Sequence, residues 1–158
     1  MDKEHHYTLT VAWTGNKGQG TSAYTAYDRS HSIKAQAKVN IEVSSDPSFR
    51  GDKTKYNPEE LFLSSLSSCH MLWYLHLCSE AGVVVTDYVD HPEGTMIETK
   101  DGGGYFNAVT LHPEVTVANQ SMVKKAADLH HDANKKCFIA NSCNFLIEHE
   151  VKIKVQRP

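Results

Sequence analysis

Four cysteines, at positions 69, 78, 137 and 143, are the residues of this chain best suited to chemistry. None of their spacings is C-x-x-C, and the 69/78 and 137/143 pairs are too wide for a usual zinc knuckle, so zinc is not expected. In a reducing compartment such thiols stay free and act as packing groups, ligands or redox centres. Cys78 follows Cys69 by nine residues, on the opposite face of a helix, and reads as packing. Cys69 taken alone reads the same way, because free cysteine is among the most buried residue types. Its surroundings argue for more. Ser64, Ser65, Ser67 and Ser68 leave room beside the thiol, and Cys137 lies at the end of a second predicted helix. Two helices on one sheet can bring Cys69 and Cys137 together, with Cys143 competing for the same role. Such a pair suits a dithiol redox couple, in which the first thiol is oxidised to a sulfenic acid and the second condenses with it to a disulfide. The attacking thiol must ionise, which asks for a positive charge nearby. Arg157 sits at the chain end, leaving Arg29 and Arg50.

Other residues with chemical potential are weaker. Ten histidines include the adjacent pair His130 and His131, which cannot share one helix face. One of them with Cys137 and His70 would make a metal-type donor set, but no metal and no cofactor is expected. "GNKGQG" lacks the GK[ST] ending of a phosphate loop and lies between strands, so it reads as a turn.

The elements that must position the thiols are legible from periodicity. "YTLTVAW" (7–13), "TSAYTAYDR" (21–29) and "IKAQAKVNIEVS" (33–44) read as three strands of a meander, followed by a polar loop over 46–56. Asn57 is a good N-cap, Pro58 suits the first helical position, and Glu60 completes a capping box. The helix is expected to run to about Glu80 and to stop at Gly82. Residues 83–100 and 105–119 read as two strands joined at "DGGG", residues 120–137 as a second helix, and 145–155 as a closing strand. The order β-β-β-α-β-β-α-β over a single domain, 1–158, is an α+β architecture. The first helix is apolar on nearly every side, so a homodimer that covers it is expected. The net charge of −3 and the scattered lysines give no reason to expect nucleic acid or an anionic membrane as partner. No apolar run reaches transmembrane length, and "MDKEHHYTLT" lacks the apolar core of a signal peptide, so the expected location is cytoplasmic.

Taken together, "YNPEELFLSSLSSCHMLWYLH" and "KKCFIANSCNF", with the early "WTGNKGQGTSAY" turn and the "EAGVVV" helix exit, resemble the OsmC/Ohr family of organic hydroperoxide reductases. The resemblance covers most of the chain. It implies an OsmC-like fold with a long central helix in an intertwined homodimer, Cys69 as the peroxidatic thiol and Cys137 as the resolving one. It also implies Glu59 as a catalytic glutamate and a catalytic arginine, Arg29 before Arg50. The substrate implied is an alkyl or lipid hydroperoxide, and the reductant a dithiol such as a lipoylated protein. One departure stands out: the family's resolving cysteine is usually followed by Pro, and here by "FIANSC".

Phe62, Leu66, Met71, Leu72 and Trp73 flank Cys69 and are expected to line an apolar pocket that favours a bulky organic peroxide. Ten residues at about 1.5 Å each put Glu59 roughly 15 Å along the helix axis from Cys69. A same-chain site is therefore awkward, and Glu59 of one subunit beside Cys69 of the other is the simplest arrangement. A competing function is a non-catalytic dimeric module that holds a small hydrophobic ligand and uses its thiols for redox sensing. Such a module has no need for a second cysteine or for a glutamate and arginine pair.

Overall fold

The computed structural model describes residues 3–157. Its strands are β1 (Thr10–Trp13), β2 (His31–Lys34), β3 (Ile41–Val43), β4 (Val85–Val89), β5 (Glu93–Glu98), β6 (Gly104–Leu111), β7 (Glu114–Val117), β8 (Ile147–His149) and β9 (Lys152–Val155), and its helices are α1 (Pro58–Glu80) and α2 (Val123–Lys136). The expected α+β class is what forms. By its internal contacts the chain divides into two compact units, residues 1–61 and 62–158.

The first unit carries an antiparallel sheet in the order β1-β2-β3, with Val11 opposite Ile33 and His31 opposite Val43. Residues 21–29 are not the expected strand. The Arg29 guanidinium donates to the carbonyls of Tyr27 and Tyr24 at 2.7 and 2.8 Å and lies 4.2 Å from the centre of each of their rings. That segment is folded around a cation and makes only one bridge, Tyr27 to Asn16. The run 33–44 likewise folds back on itself into β2 and β3, with Ala37 in the left-handed region at φ 60°. Within "GNKGQG", the Asn16 side-chain oxygen accepts from the amides of Gly18 and Gly20 at 2.9 and 3.0 Å, which makes the stretch a turn as expected.

In the second unit each long expected strand is broken in two, so the described residues form nine strands where six were expected. The breaks fall at 90–92, 112–113 and 150–151. One sheet has the order β4-β7-β9 and the other β5-β6-β8. Pro92 and Pro113 have no amide hydrogen to give to a ladder, which interrupts two of the three strands at the same level. Asp90 fastens the break: its carboxylate accepts from the His112 amide at 2.7 Å and from the Ser67 hydroxyl of α1 at 2.5 Å. β8 and β9 pair in parallel with β6 and β7, the direction that a crossover through α2 requires.

Two apolar clusters fill this unit. Tyr74, Cys78, Val83, Val115, Val117, Ala126, Leu129 and Ala133 form one, between the end of α1, α2 and β7. Leu66, Val109, Leu111 and Ile147 form the other, against β6 and β8. Helix α1 serves both through one buried stripe at four-residue spacing, Leu66, His70, Tyr74 and Cys78. The stripe has a histidine at its centre, between the two clusters. No helix of the described residues is long and apolar enough to cross a membrane.

Candidate redox site

Helix α1 starts as its sequence predicts. The Glu60 amide donates to the Asn57 side-chain oxygen at 2.8 Å, and the Asn57 amide donates to the Glu60 carboxylate at 3.1 Å. It stops at Gly82, whose φ of 70° lets the Val83 amide reach back to the Cys78 carbonyl at 2.9 Å. Cys69 lies beside the buried stripe and is half-buried, whereas Cys78 lies within it and packs in the core. Burial raises the Cys78 thiol above the ordinary cysteine range.

Cys137 is the first residue after α2, where ψ of 111° ends the helical path. The turn that follows wraps its sulfur, which accepts from the Ala140 amide at 3.4 Å. Cys137 is fully buried, and its thiol lies close enough to that of Cys69 for the two to interact electrostatically. Burial first, and the Cys69 thiol beside it, push Cys137 up to about 11, which keeps it protonated at neutral pH. Cys143 is half-buried and donates to the Ile139 carbonyl at 3.3 Å. The fold thus places Cys137 against Cys69 and turns Cys143 toward its own backbone.

Beside the thiols, Trp73 packs edge-on against Phe138 with ring centres 5.5 Å apart, and the Lys136 ammonium stands 5.3 Å from the Trp73 ring centre. Leu72, Trp73 and His76 line a shallow apolar depression of about 230 Å³. Leu72 and Phe138 are 62% and 69% exposed, which is unusual for side chains of this size and leaves an apolar surface open next to the sulfurs. Met71 is half-buried. Phe62 and Leu66 pack into the core, Phe62 at 4.9 Å from the Phe106 ring centre.

Glu59 belongs to the first unit, and one of its carboxylate oxygens is buried with no hydrogen-bond partner among the described residues. Such a group ordinarily has a donor against it. Arg29 gives two of its five donors to the carbonyls of Tyr24 and Tyr27. Arg50 follows a 3-10 turn at Pro47–Phe49 with φ of 64° and is exposed. Arg29 and Arg50 both line a cavity of about 270 Å³ with Asp28, Ser30, Ser44, Gly51 and Asp52.

A second constellation lies where α1 meets α2. His70 Nε2 and His130 Nδ1 share a hydrogen bond of 2.9 Å, and the His130 ring stacks on Tyr74 at 3.7 Å. The His149 ring centre is 5.6 Å from that of His70. Burial holds all three imidazoles below the ordinary histidine value, His70 at about 4 and His130 at about 3. The outer nitrogens, His70 Nδ1 and His130 Nε2, are buried and unpartnered, as is the Tyr88 hydroxyl oxygen. Among the described residues no group of three or more His, Cys, Asp or Glu is placed to hold a metal ion. In the sequence these histidines carry only a metal-type reading. Their actual setting was foreshadowed by His70 standing at four-residue spacing between Leu66 and Tyr74, a polar ring on an apolar stripe.

Comparison with known proteins follows the same lines. An OsmC-like protein of unknown function from Vibrio cholerae superposes with a TM-score of 0.83 at 26% identity, covering 94% of this chain and 99% of its own. An organic hydroperoxide resistance protein from Elizabethkingia anophelis gives a TM-score of 0.67 at 19% identity, covering 98% and 100%. One from Bacillus subtilis gives 0.59 at 20% identity, covering 95% and 98%. No curated protein matches the sequence. The family described as OsmC-like protein is matched over residues 51–156, which takes in α1, Cys69, Cys137 and the second unit up to residue 156, so the chain belongs to the OsmC-like family.

Proposed function

We propose that the protein is a thiol-dependent peroxidase that reduces organic hydroperoxides to alcohols in oxidative stress defence. The observation that carries this reading is the contact between a half-buried thiol, Cys69, and a fully buried one, Cys137. The Cys69 thiolate attacks the terminal peroxide oxygen. The O–O bond breaks, alkoxide leaves and takes up a proton, and Cys69 is left as a sulfenic acid. Cys137, held as the thiol by its burial, then forms the S–S bond, and its proton departs with the sulfenic hydroxyl as water. A dithiol such as a lipoylated protein reduces the disulfide and closes the cycle. Leu72 and Trp73, with Met71 beside them, offer the apolar surface that favours an organic peroxide over hydrogen peroxide.

The unpartnered carboxylate oxygen of Glu59 supports a cationic partner, Arg50 or Arg29, that would also stabilise the thiolate and the peroxide oxygens. In this reading the working form is a homodimer in which Glu59 of one subunit serves Cys69 of the other. Leu9, Val11 and Trp13, alternate residues at β1, are 63%, 59% and 46% exposed, an apolar row of the kind a second subunit covers. Free thiols at all four cysteines suit a reducing cytoplasm. The test is consumption of tert-butyl or cumene hydroperoxide with dihydrolipoamide as reductant, comparing wild type with Cys69→Ser. Turnover is expected only with wild type, and equal rates for the two proteins would overturn the assignment.

A further inference from the structure

The peroxidase chemistry makes no use of the His70–His130 pair, yet the pair is costly. Two polar rings are fully buried, and their mutual bond of 2.9 Å satisfies only one nitrogen of each. An apolar pair of similar shape would fill the same space without unpartnered nitrogens. A directional bond in that place offers something that an apolar contact does not, a fixed register between two helices.

The sequence positions show which register. On α1, His70 directly follows Cys69. On α2, His130 precedes Cys137 by seven residues, two turns on the same face and about 10 Å along the axis. The two pairings, 70 with 130 and 69 with 137, therefore advance seven residues on α2 for one on α1, so α2 runs across α1 rather than alongside it. Two helices that cross share only a short stretch of contact, here the cluster that holds Tyr74 and Cys78 of α1 with Ala126, Leu129 and Ala133 of α2, and can rock about it. A directional contact next to Cys69 on α1 and about 10 Å along α2 from Cys137 resists that pivot, and the stack of His130 on Tyr74 at 3.7 Å holds the ring in plane. Other contacts near the thiols, half-buried Trp73 with exposed Phe138 and Lys136, make no directional bond between buried groups.

We propose that the His70–His130 hydrogen bond is a positioning element that fixes the crossing of α1 and α2 and thereby holds Cys137 in bonding range of Cys69. This rests on the reading of Cys69 and Cys137 as a redox pair. It makes both histidines positioning residues and not catalytic ones, since neither touches the sulfurs in any contact described above.

The test is a redox titration of the purified protein in glutathione buffers. Oxidised glutathione takes two electrons from the two thiols, the Cys69–Cys137 disulfide forms, and two molecules of reduced glutathione and no other product result. Peptide mass mapping identifies the disulfide. Two double variants are compared with wild type. His70→Gln/His130→Asn keeps an amide group where each bonded nitrogen stood, Gln in place of Nε2 and Asn in place of Nδ1. His70→Leu/His130→Phe keeps the volume and the ring stack but removes the bond. The expected result is that the Gln/Asn variant stays within about twofold of the wild-type equilibrium constant, while the Leu/Phe variant forms the disulfide at least about tenfold less favourably, a potential about 30 mV higher. Unfolding by urea is measured alongside, and the Leu/Phe variant is expected to be no less stable than wild type. Should that variant not fold, His130→Phe alone is titrated in its place with the same expectation. A wild-type equilibrium constant in the variant without the bond would overturn the proposal. So would an equal loss in the Gln/Asn variant. If wild type itself forms no disulfide at any glutathione ratio, the redox-pair reading fails and this inference with it, whereas a disulfide insensitive to both variants removes the histidine role alone.

Discussion

A neutral imidazole buried in a core has a consequence that can be measured on a single residue. His70 and His130 hold pKa values of about 4 and about 3 because burial disfavours their charged forms; His149 adds to the shift at both and His70 to that of His130, with Asp90 opposing the shift at His70. In the unfolded chain both titrate near 6.5. Above about pH 7 neither state is protonated and the pair leaves stability independent of pH. Below about 6.5 the unfolded chain binds protons that the folded one refuses, so stability falls as the pH falls, and it keeps falling until the folded rings titrate near 4 and 3. The slope is about 1.4 kcal/mol per pH unit for each ring. Urea unfolding at pH 7.5, 6.0 and 5.0 should show this decline in wild type and a shallower one in His70→Gln/His130→Asn. Parallel curves for the two proteins would mean that other groups govern the acid response.

At the scale of elements, the capped start of α1 was fully legible, because an N-cap and a capping box are local in sequence and involve only side chains within one turn. Replacing Asn57 by alanine removes the acceptor of the Glu60 amide and is expected to cost about 1 kcal/mol in chemical denaturation. A loss under a few tenths would show that the cap is redundant in the folded chain. The strands were less legible, and each error has its own cause. Residues 21–29 alternate like a strand, but two carbonyls and two tyrosine rings converge on Arg29 and outbid the ladder. Periodicity over 83–100, 105–119 and 145–155 correctly marked extended chain. It was blind to the shared break at which Asp90 binds the His112 amide and the Ser67 hydroxyl, since those partners are 22 and 23 residues distant from Asp90 in sequence.

For the whole molecule, the proposed site draws on two chains. α1 is unbroken from Pro58 to Glu80, so no kink carries Glu59 back along the helix toward Cys69. A two-chain site predicts complementation. Glu59→Gln and Cys69→Ser are each expected to be inactive as homodimers. Mixed and allowed to exchange subunits, they form heterodimers in which one of the two sites has both groups intact, restoring about a quarter of wild-type peroxidase activity in a statistical mixture. Exchange verified by mass without any recovery of activity would place Glu59 and Cys69 in one subunit's site. The sequence by itself determined the chemistry on offer: a cysteine in a capped, serine-lined helix, a second cysteine closing another helix, and a family pattern that joins them. Those features depend on residue type and local spacing, which a linear chain states openly. Only the tertiary structure showed that Cys137 lies beside Cys69 while Cys143 donates to the Ile139 carbonyl, and that His70 and His130 bond between the helices carrying the thiols. Both are contacts between α1 and α2 made by residues 60 or more positions apart in the chain, which local spacing cannot reveal.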